Sequence, residues 1–202
     1  VSFTGRNGFI RKYISSALQP FTISSSGSSN SSDVAYDADG LAKAFSMDQT
    51  NDLLFSANGR LQHVRVWYVS PSNLSISSRS TITESTSGAD LDGAQIIVPR
   101  PQSLVAYSVS RDNGNRLCTF EYSAAGDALT KVDDTGNFYY PIDIYVNHNR
   151  SVLGITEFNT SNQTVVYFYN VATANNPGYA SQLTLSNNAP SDIGIAIQHY
   201  EV

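Results

Sequence analysis

Residues 115–132 read NRLCTFEYSAAGDALTKV, a pattern that predicts a strand, a short turn and a second strand. Apolar and polar residues alternate on both sides of the turn, and its glycine and aspartate supply the conformations that close a hairpin. The pattern recurs in residues 63–82, HVRVWYVSPSNLSISSRSTI, and in residues 163–185, QTVVYFYNVATANNPGYASQLTL. The chain therefore repeats one small antiparallel sheet.

The spacing of these hairpins defines three units, at residues 42–91, 92–139 and 140–189. Each unit is predicted to hold an inner apolar strand, a second strand, a third strand ending in aromatic residues and a polar outer strand. The inner strands are assigned to LAKAFS, SLVAYSV and PIDIYVN, and the outer strands to LSISSRST, ALTKVD and SQLTLS. Four strands in roughly 45–50 residues are typical of a β-propeller blade, whose faces neighbouring blades must cover.

The two ends of the chain fit one further blade. Residues 190–202, PSDIGIAIQHYEV, match the first two strands of a unit, and residues 1–26 match the last two. Residues 1–202 are therefore predicted to form a single all-β domain, a propeller of about four blades whose last blade is closed by both termini. Two alternatives remain open: part of a larger propeller, or a β-sandwich or barrel.

Helical periodicity is weak throughout the chain. Residues 39–55, DGLAKAFSMDQTNDLLF, are loosely amphipathic as a helix but also fit a strand, a turn and a second strand.

Composition excludes several classes of function. The net charge is −5 and no basic cluster occurs, which argues against a nucleic-acid partner. No apolar run is long enough for a membrane span. The single cysteine, Cys118, is expected to be a buried strand residue, and neither metal-ligand spacing nor any cofactor motif appears. Five N-x-[S/T] sequons and a first residue other than Met favour a secreted glycoprotein, either a mature product or a fragment.

The repeat units resemble blades of lactonase-type propellers, the 6-phosphogluconolactonase-like and carboxy-muconate-cyclase-like proteins. The resemblance covers HVRVWYVSPSNLSISSRSTI, NRLCTFEYSAAGDALTKV and PIDIYVNHNRSVLGITEFNTSNQTVVYFYNV. It implies a seven-bladed propeller with a polar central site, whereas 202 residues are too few for seven such units. A fainter similarity links RVWY at residues 65–68 to fungal fucose-binding propeller lectins and implies that Arg65 binds sugar. The acidic partner expected in the next strand is absent from LSISSRS.

Aromatic residues supply the main binding candidates. Twelve Tyr, nine Phe and one Trp occur, and exposed aromatic rings stack on the apolar faces of sugars. The predicted ligand-binding residues are Arg65, Trp67, Tyr68, Tyr139 and Tyr167. Because Trp67 and Tyr68 are adjacent on a strand, one is expected in the core and the other at the surface.

Candidates for catalysis are weaker, and each has a structural explanation. His199 and Glu201 share one face of a predicted strand and form either an acid–base pair or an ordinary solvated pair. Inner strands carry Asp143 and Asp192, with Asp33 as a third member, which form either a ring of carboxylates or a set of turn caps. The remaining candidates are Glu121, Glu157 and Arg116, which suit either oxyanion chemistry or ion pairs across a hairpin.

Three functions follow, in order of preference. The first is an extracellular carbohydrate-binding module without catalysis, in which repeated weak sites act together on a glycan or small-molecule ligand. The second is an enzyme of lactonase or cyclase type. The third is an assembly subunit whose chains exchange terminal strands, and for it a homo-oligomer is expected.

Overall fold

The computed structural model describes residues 6–11, 17–24, 27–30, 34–35, 44–48, 50–59, 61–73, 75–83, 96–100, 103–110, 116–147, 151–161 and 163–185. These residues form four antiparallel four-stranded sheets, here called blades 1 to 4. Blade 1 contains β1 (Arg6–Arg11), β2 (Ala17–Ser24), β3 (Gly27–Asn30) and β4 (Val34–Ala35). Blade 2 contains β5 (Ala44–Asp48), β6 (Leu53–Asn58), β7 (His63–Val69) and β8 (Ile76–Thr83). Blade 3 contains β9 (Ile96–Arg100), β10 (Val105–Val109), β11 (Leu117–Ser123) and β12 (Ala128–Thr135). Blade 4 contains β13 (Pro141–Asn147), β14 (Val152–Phe158), β15 (Thr164–Asn170) and β16 (Gly178–Leu185).

Blades 2, 3 and 4 are meanders in which each strand pairs with the next one along the chain. The first strands lie side by side between blades, because β9 packs against both β5 and β13. The fourth strands β8 and β12 are also in contact. Sheets that meet along their first strands and stack face to face form a β-propeller, so the predicted fold class is confirmed.

The three predicted units correspond to blades 2, 3 and 4. One strand assignment is wrong: residues 103–109 were assigned to an inner strand, but Val105–Val109 is the second strand of blade 3. The inner strand is Ile96–Arg100, which contains Pro99. It pairs with β10 alone, so it is an edge of its sheet, where proline is tolerated. Residues 190–202, predicted to close blade 1, lie outside the described residues.

Of the two structures predicted for residues 39–55, the strand, turn and second strand are observed in the described part, and not the helix. This part contains β5, a turn and the start of β6. The side chain of Asp48 closes this turn by accepting hydrogen bonds from the backbone N–H groups of Thr50 and Asn51. No helix occurs in the described part of the chain.

A strained turn residue recurs in the first hairpin of each of blades 2, 3 and 4. Asp52, Leu104 and Ser151 have φ angles of 54°, 54° and 52°, a conformation that residues other than glycine rarely adopt. The carbonyl of each accepts a backbone hydrogen bond from a residue within one position of the end of the third strand. The donors are Val69, Tyr122 and Val171, at 2.8, 2.8 and 2.7 Å. This bond gives an exact structural alignment of the three blades.

A β-bulge recurs at one aligned position in the outer hairpins of blades 2, 3 and 4. The register shifts between Val66 and Trp67, between Thr119 and Phe120, and between Phe168 and Tyr169. The extra residue on the outer strand is Arg79 in blade 2, Val132 in blade 3 and Ala180 in blade 4. A bulge redirects its extra side chain out of the regular alternation, so these three side chains occupy a special position.

Two hydrophobic clusters hold neighbouring blades together. The first joins blades 2 and 3 and includes Leu53, Phe55, Val66, Ile97, Ala106 and Phe120. The second joins blades 3 and 4 and includes Val105, Tyr107, Leu117, Ile144, Leu153 and Tyr169. Each fully buried large side chain contributes about 1.5–3 kcal/mol by leaving water. The blades therefore depend on one another for their cores.

Candidate functional site

A cavity of about 300 Å³ opens at the junction of blades 2 and 3, and we call it the junction pocket. Blade 2 contributes Asn51, Leu53, Tyr68 and Arg79, and blade 3 contributes Leu104, Tyr122, Ala124 and Asp127. Its volume matches the lower end of small-molecule sites. Both strained turns, at Asp52 and Leu104, lie at or beside its wall. The pocket is therefore placed by the repeat geometry itself.

Arg79 brings a positive charge to the pocket from the bulge of β8. Its Cζ atom lies 5.1 Å from the centroid of the Tyr68 ring, within the range of a cation–π contact. Its Nη1 atom lies 3.4 Å from Oδ2 of Asp127 in blade 3. The two side chains are 39% and 46% exposed, so solvent screens this ion pair and its contribution to stability is small.

Tyr122 and Asp127 form the opposite wall. The Tyr122 hydroxyl donates a hydrogen bond to Oδ1 of Asp127 across the turn between β11 and β12. Burial raises the pKa of Tyr122 to about 12, and the hydrogen bond to the carboxylate acts in the same direction. Tyr122 therefore stays neutral at physiological pH. A carboxylate, a neutral phenol and a guanidinium thus converge on one cavity.

The next junction, between blades 3 and 4, is filled at the corresponding place. Arg100, at the end of β9, donates hydrogen bonds to the Val171 carbonyl and to Ser151 Oγ, the latter at 3.4 Å. Val171 and Ser151 are the structural counterparts of Tyr122 and Leu104 in the junction pocket. At the Arg100 position blade 2 has Asp48, which is buried and caps its own turn. Arg100 therefore reaches across to blade 4, whereas Asp48 bonds within its own blade.

Three of the five predicted ligand-binding residues lie on β7, where Arg65 and Trp67 are in contact and Tyr68 lies on the other face. Tyr68 is half-buried and lines the junction pocket. Trp67 is 7% exposed, packs in a small core cluster and donates a hydrogen bond to Ser56 Oγ at 3.2 Å. Arg65 donates a hydrogen bond to Thr81 Oγ1 at 2.8 Å and lies 5.1 Å from the Trp67 ring centroid. Trp67 thus lies in the core, and Tyr68 lies half-buried at the pocket on the other face of the strand.

The other two predicted residues, Tyr139 and Tyr167, come together in blade 4 around Glu157. This carboxylate is 3% exposed. It accepts hydrogen bonds from the Tyr167 hydroxyl and from the Tyr139 backbone N–H, both at 2.7 Å. Burial raises the pKa of Tyr167, and the nearby Glu157 charge adds to the effect. These contacts involve different blades from the junction pocket, so the structure divides the five residues between separate places.

The catalytic candidates do not assemble into one site in the described part of the chain. Asp143 Oδ1 accepts a hydrogen bond from the Ile144 N–H at 2.8 Å, which fits a local cap. Arg116 pairs with Asp134 across the β11–β12 hairpin at 2.6 Å, whereas Glu157 bonds to tyrosines. Glu121 is half-buried on β11. The remaining candidates, Asp33, Asp192, His199 and Glu201, lie outside the described residues.

Two kinds of feature are absent from the described residues. In that part of the protein, no group of three or more His, Cys, Asp or Glu side chains has the geometry of a metal site. Nor does any helix there have the length and apolar character needed to cross a membrane.

Sequence reasoning missed Arg79, Tyr122 and Asp127. Arg79 stands alone in the serine-rich outer strand LSISSRST, and Asp127 was assigned to a turn. The contact between them joins residues 48 positions apart in different blades. A lone charged residue in an outer strand, followed one unit later by an opposite charge, is the only signal the sequence carries.

The chain has no match among family models and none among curated proteins. Its fold nevertheless matches solved structures. A functionally unknown protein from Desulfotomaculum acetoxidans has a TM-score of 0.67 at 12% identity, over 88% of this chain and 52% of that one. The periplasmic gluconolactonase of Pseudomonas aeruginosa has a TM-score of 0.62 at 12% identity, over 88% of this chain and 55% of the enzyme. A candidate 6-phosphogluconolactonase from Bacteroides uniformis has a TM-score of 0.60 at 13% identity, over 90% of this chain and 55% of that one.

These similarities show the propeller fold. The chain spans about half the length of each of the three structures. They support the predicted lactonase-type resemblance at the level of architecture. At such low identity, residue roles do not transfer from one protein to another.

Proposed function

We propose that the protein hydrolyses lactones and that the reaction takes place in the junction pocket. The proposal rests on one observation: Arg79, Asp127 and Tyr122 converge on a cavity of suitable size. Ring-opening of a cyclic ester needs a base to activate water and a cation to stabilise the oxyanion. The pocket offers a carboxylate for the first role and a guanidinium for the second.

In the proposed reaction, the Asp127 carboxylate takes a proton from a water molecule as its oxygen attacks the lactone carbonyl. The oxyanion that forms accepts hydrogen bonds from Arg79, whose five N–H donors allow it to serve a substrate and Asp127 together. The ring C–O bond then breaks, and the leaving alkoxide takes the proton back from Asp127. Tyr122 holds the carboxylate in place, and the product is a hydroxy acid.

Fold similarity gives this function further support. Two of the structural neighbours are named for gluconolactone substrates, one of them phosphorylated. They favour the enzyme over the carbohydrate-binding module that ranked first in the sequence analysis. Because the chain spans only about half of those proteins, both the activity and the substrate are proposals for this chain.

Hydrolysis is tested with glucono-1,5-lactone and 6-phosphogluconolactone, following proton release with a pH indicator above the spontaneous rate. We expect the wild type to accelerate opening of at least one lactone. Asp127→Asn and Arg79→Gln should each lower kcat/KM by about 100-fold or more, because each removes a group that acts in the transition state.

The matched control is Asp134→Asn, the same carboxylate-to-amide change further along the β11–β12 hairpin. It should leave kcat/KM unchanged. The proposal fails if the wild type opens neither lactone faster than buffer does. It also fails if Asp127→Asn and Arg79→Gln retain wild-type activity.

A further inference from the structure

Blade 4 exposes a group of tyrosines that the proposed reaction does not use. Tyr139, Tyr140 and Tyr179 are 57%, 43% and 58% exposed. The first two lie just before β13, and the third lies on β16. We call these three residues the tyrosine surface.

Buried aromatic rings connect the members of this surface. The Phe138 ring contacts the Tyr167 and Tyr169 rings edge-on, with centroids 5.3 and 6.3 Å apart. Tyr169 in turn contacts Tyr179 edge-on at 5.9 Å. Phe138 directly precedes Tyr139 in the chain, so these buried rings link the segment that carries Tyr139 and Tyr140 to Tyr179.

The backbone under the tyrosine surface is held firmly. The N–H of Tyr139 bonds to the buried carboxylate of Glu157 at 2.7 Å. The carbonyl of Tyr140 accepts a hydrogen bond from the N–H of Phe158 at 2.9 Å. Gly136 adopts a φ of 79°, and a side chain there would clash with Phe138. Rings presented on a fixed backbone lose little entropy when a ligand stacks on them.

The two segments that carry these tyrosines are themselves uncharged, and the carboxylate of Glu157 beneath Tyr139 is buried. Residues 136–142, GNFYYPI, and residues 178–185, GYASQLTL, contain no Asp, Glu, Lys or Arg. Instead β16 exposes the hydroxyl and amide groups of Ser181 and Gln182. Tyrosine rings stack on the C–H faces of sugars, and neutral hydroxyl and amide groups bond to sugar hydroxyls. An anionic ligand would find no cation within these two segments.

We propose that the tyrosine surface binds a neutral polysaccharide. The site lies on blade 4, apart from the junction pocket, and is independent of the proposed hydrolysis. It gives a location to the carbohydrate binding predicted from Tyr139 and Tyr167, with Tyr167 acting beneath the surface through Glu157. It also fits the proposal that the protein is extracellular, where such polymers occur.

The test is affinity electrophoresis of the whole chain through native gels that contain soluble β-glucan, xylan, galactomannan or, as an anionic polymer, polygalacturonate. We expect retardation by at least one neutral polymer. The triple variant Tyr139→Ala/Tyr140→Ala/Tyr179→Ala should bind that polymer at least about tenfold more weakly. The corresponding Tyr→Phe triple variant should keep most of the binding, because it keeps the rings.

Leu183→Ala is the matched control, since Leu183 is an exposed apolar residue of β16 without a ring. It should migrate like the wild type. Thermal unfolding of each variant shows whether its fold is retained. The proposal is overturned if no neutral polymer retards the wild type, if only polygalacturonate does, or if the folded Ala triple variant is retarded equally. The lactone assay is unaffected by any of these results.

Discussion

Gly136 shows how a single residue fixes the passage from blade 3 to blade 4. Its φ is 79°, and an added Cβ would lie 2.7 Å from Phe138 ring atoms and 2.8 Å from the Tyr169 hydroxyl. Glycine is the one residue that satisfies both the backbone angle and the close contact. The position of Tyr139 and Tyr140 therefore depends on it.

We predict that Gly136→Ala lowers the free energy of unfolding by about 2–5 kcal/mol. The positive φ costs a residue with a Cβ about 1–2 kcal/mol, and the clash with Phe138 adds about 1–3 kcal/mol. Urea titration followed by circular dichroism measures the change. Gly178→Ala is the control, because its Cβ would meet no atom within 4 Å, and it should be nearly neutral. A tolerated Gly136→Ala would mean that the segment adopts another path.

The β11–β12 hairpin illustrates electrostatics at the scale of one element. Asp134 accepts a hydrogen bond from Lys131 at 2.8 Å and pairs with Arg116 at 2.6 Å. The bond from Lys131 is the main cause of the lowered pKa of Asp134, and the charges of Lys131 and Arg116 add to it. In the folded hairpin this carboxyl group thus releases its proton more readily than in the unfolded chain.

We predict that Asp134→Asn destabilises the protein by about 0.5–1 kcal/mol near pH 7, as expected for a largely solvated ion-pair group. Because the folded-state pKa lies below the unfolded value of about 3.9, the stabilisation is complete above about pH 4 and is lost as the pH falls through the folded-state pKa. Urea titrations at pH 7 and at low pH should therefore show that the difference in free energy of unfolding between the wild type and Asp134→Asn becomes smaller at low pH.

Asp133→Asn is the control for this effect, since neighbouring strand residues point to opposite faces. The difference in free energy of unfolding between the wild type and Asp133→Asn should not shrink comparably at low pH. An equal difference between wild type and Asp134→Asn at both pH values would contradict the ion-pair explanation.

Strand assignment from the sequence succeeded where alternation was regular and failed at β9. PIDIYVN alternates cleanly and is the inner strand β13. In the second unit the sequence predicts SLVAYSV as the inner strand, whereas the inner strand is IIVPR, which carries a proline. The proline is tolerated in β9 because this strand is an edge of its sheet, at the centre of the propeller. That edge position becomes apparent only from the packing of whole blades.

At the scale of the whole molecule, the shared clusters predict cooperative unfolding. Trp67 is the single tryptophan and is buried in blade 2, so its fluorescence reports that blade. We predict that urea transitions followed by Trp67 fluorescence and by far-ultraviolet circular dichroism coincide, because the clusters link blades 2, 3 and 4.

Because the clusters join the blades, a substitution in blade 4 should also shift the unfolding transition followed by Trp67 fluorescence in blade 2. Leu153→Ala, in the blade 4 core, should lower the stability seen by Trp67 fluorescence by about 2–5 kcal/mol. Two separate transitions, or a fluorescence midpoint that Leu153→Ala leaves in place, would show that the blades unfold independently.

The sequence predicted the propeller because blades are local units with a regular period. It did not predict the junction pocket, because no local pattern places Arg79 beside Asp127, 48 residues away. That meeting depends on the bulge in β8 and on how two blades stack. The exposed tyrosines were predictable in part. The sequence indicates aromatic residues as binding candidates, but which of them lie together on blade 4 is apparent only from the structure.

The recurring bulge has an evolutionary consequence. Its extra residue takes no part in strand register, so duplicated units can diverge there while their hydrogen-bond ladders stay intact. Arginine, valine and alanine now occupy this slot in successive blades. A single substitution in this slot can therefore change the chemistry of one blade and leave its pairing, and the blades beside it, as they are.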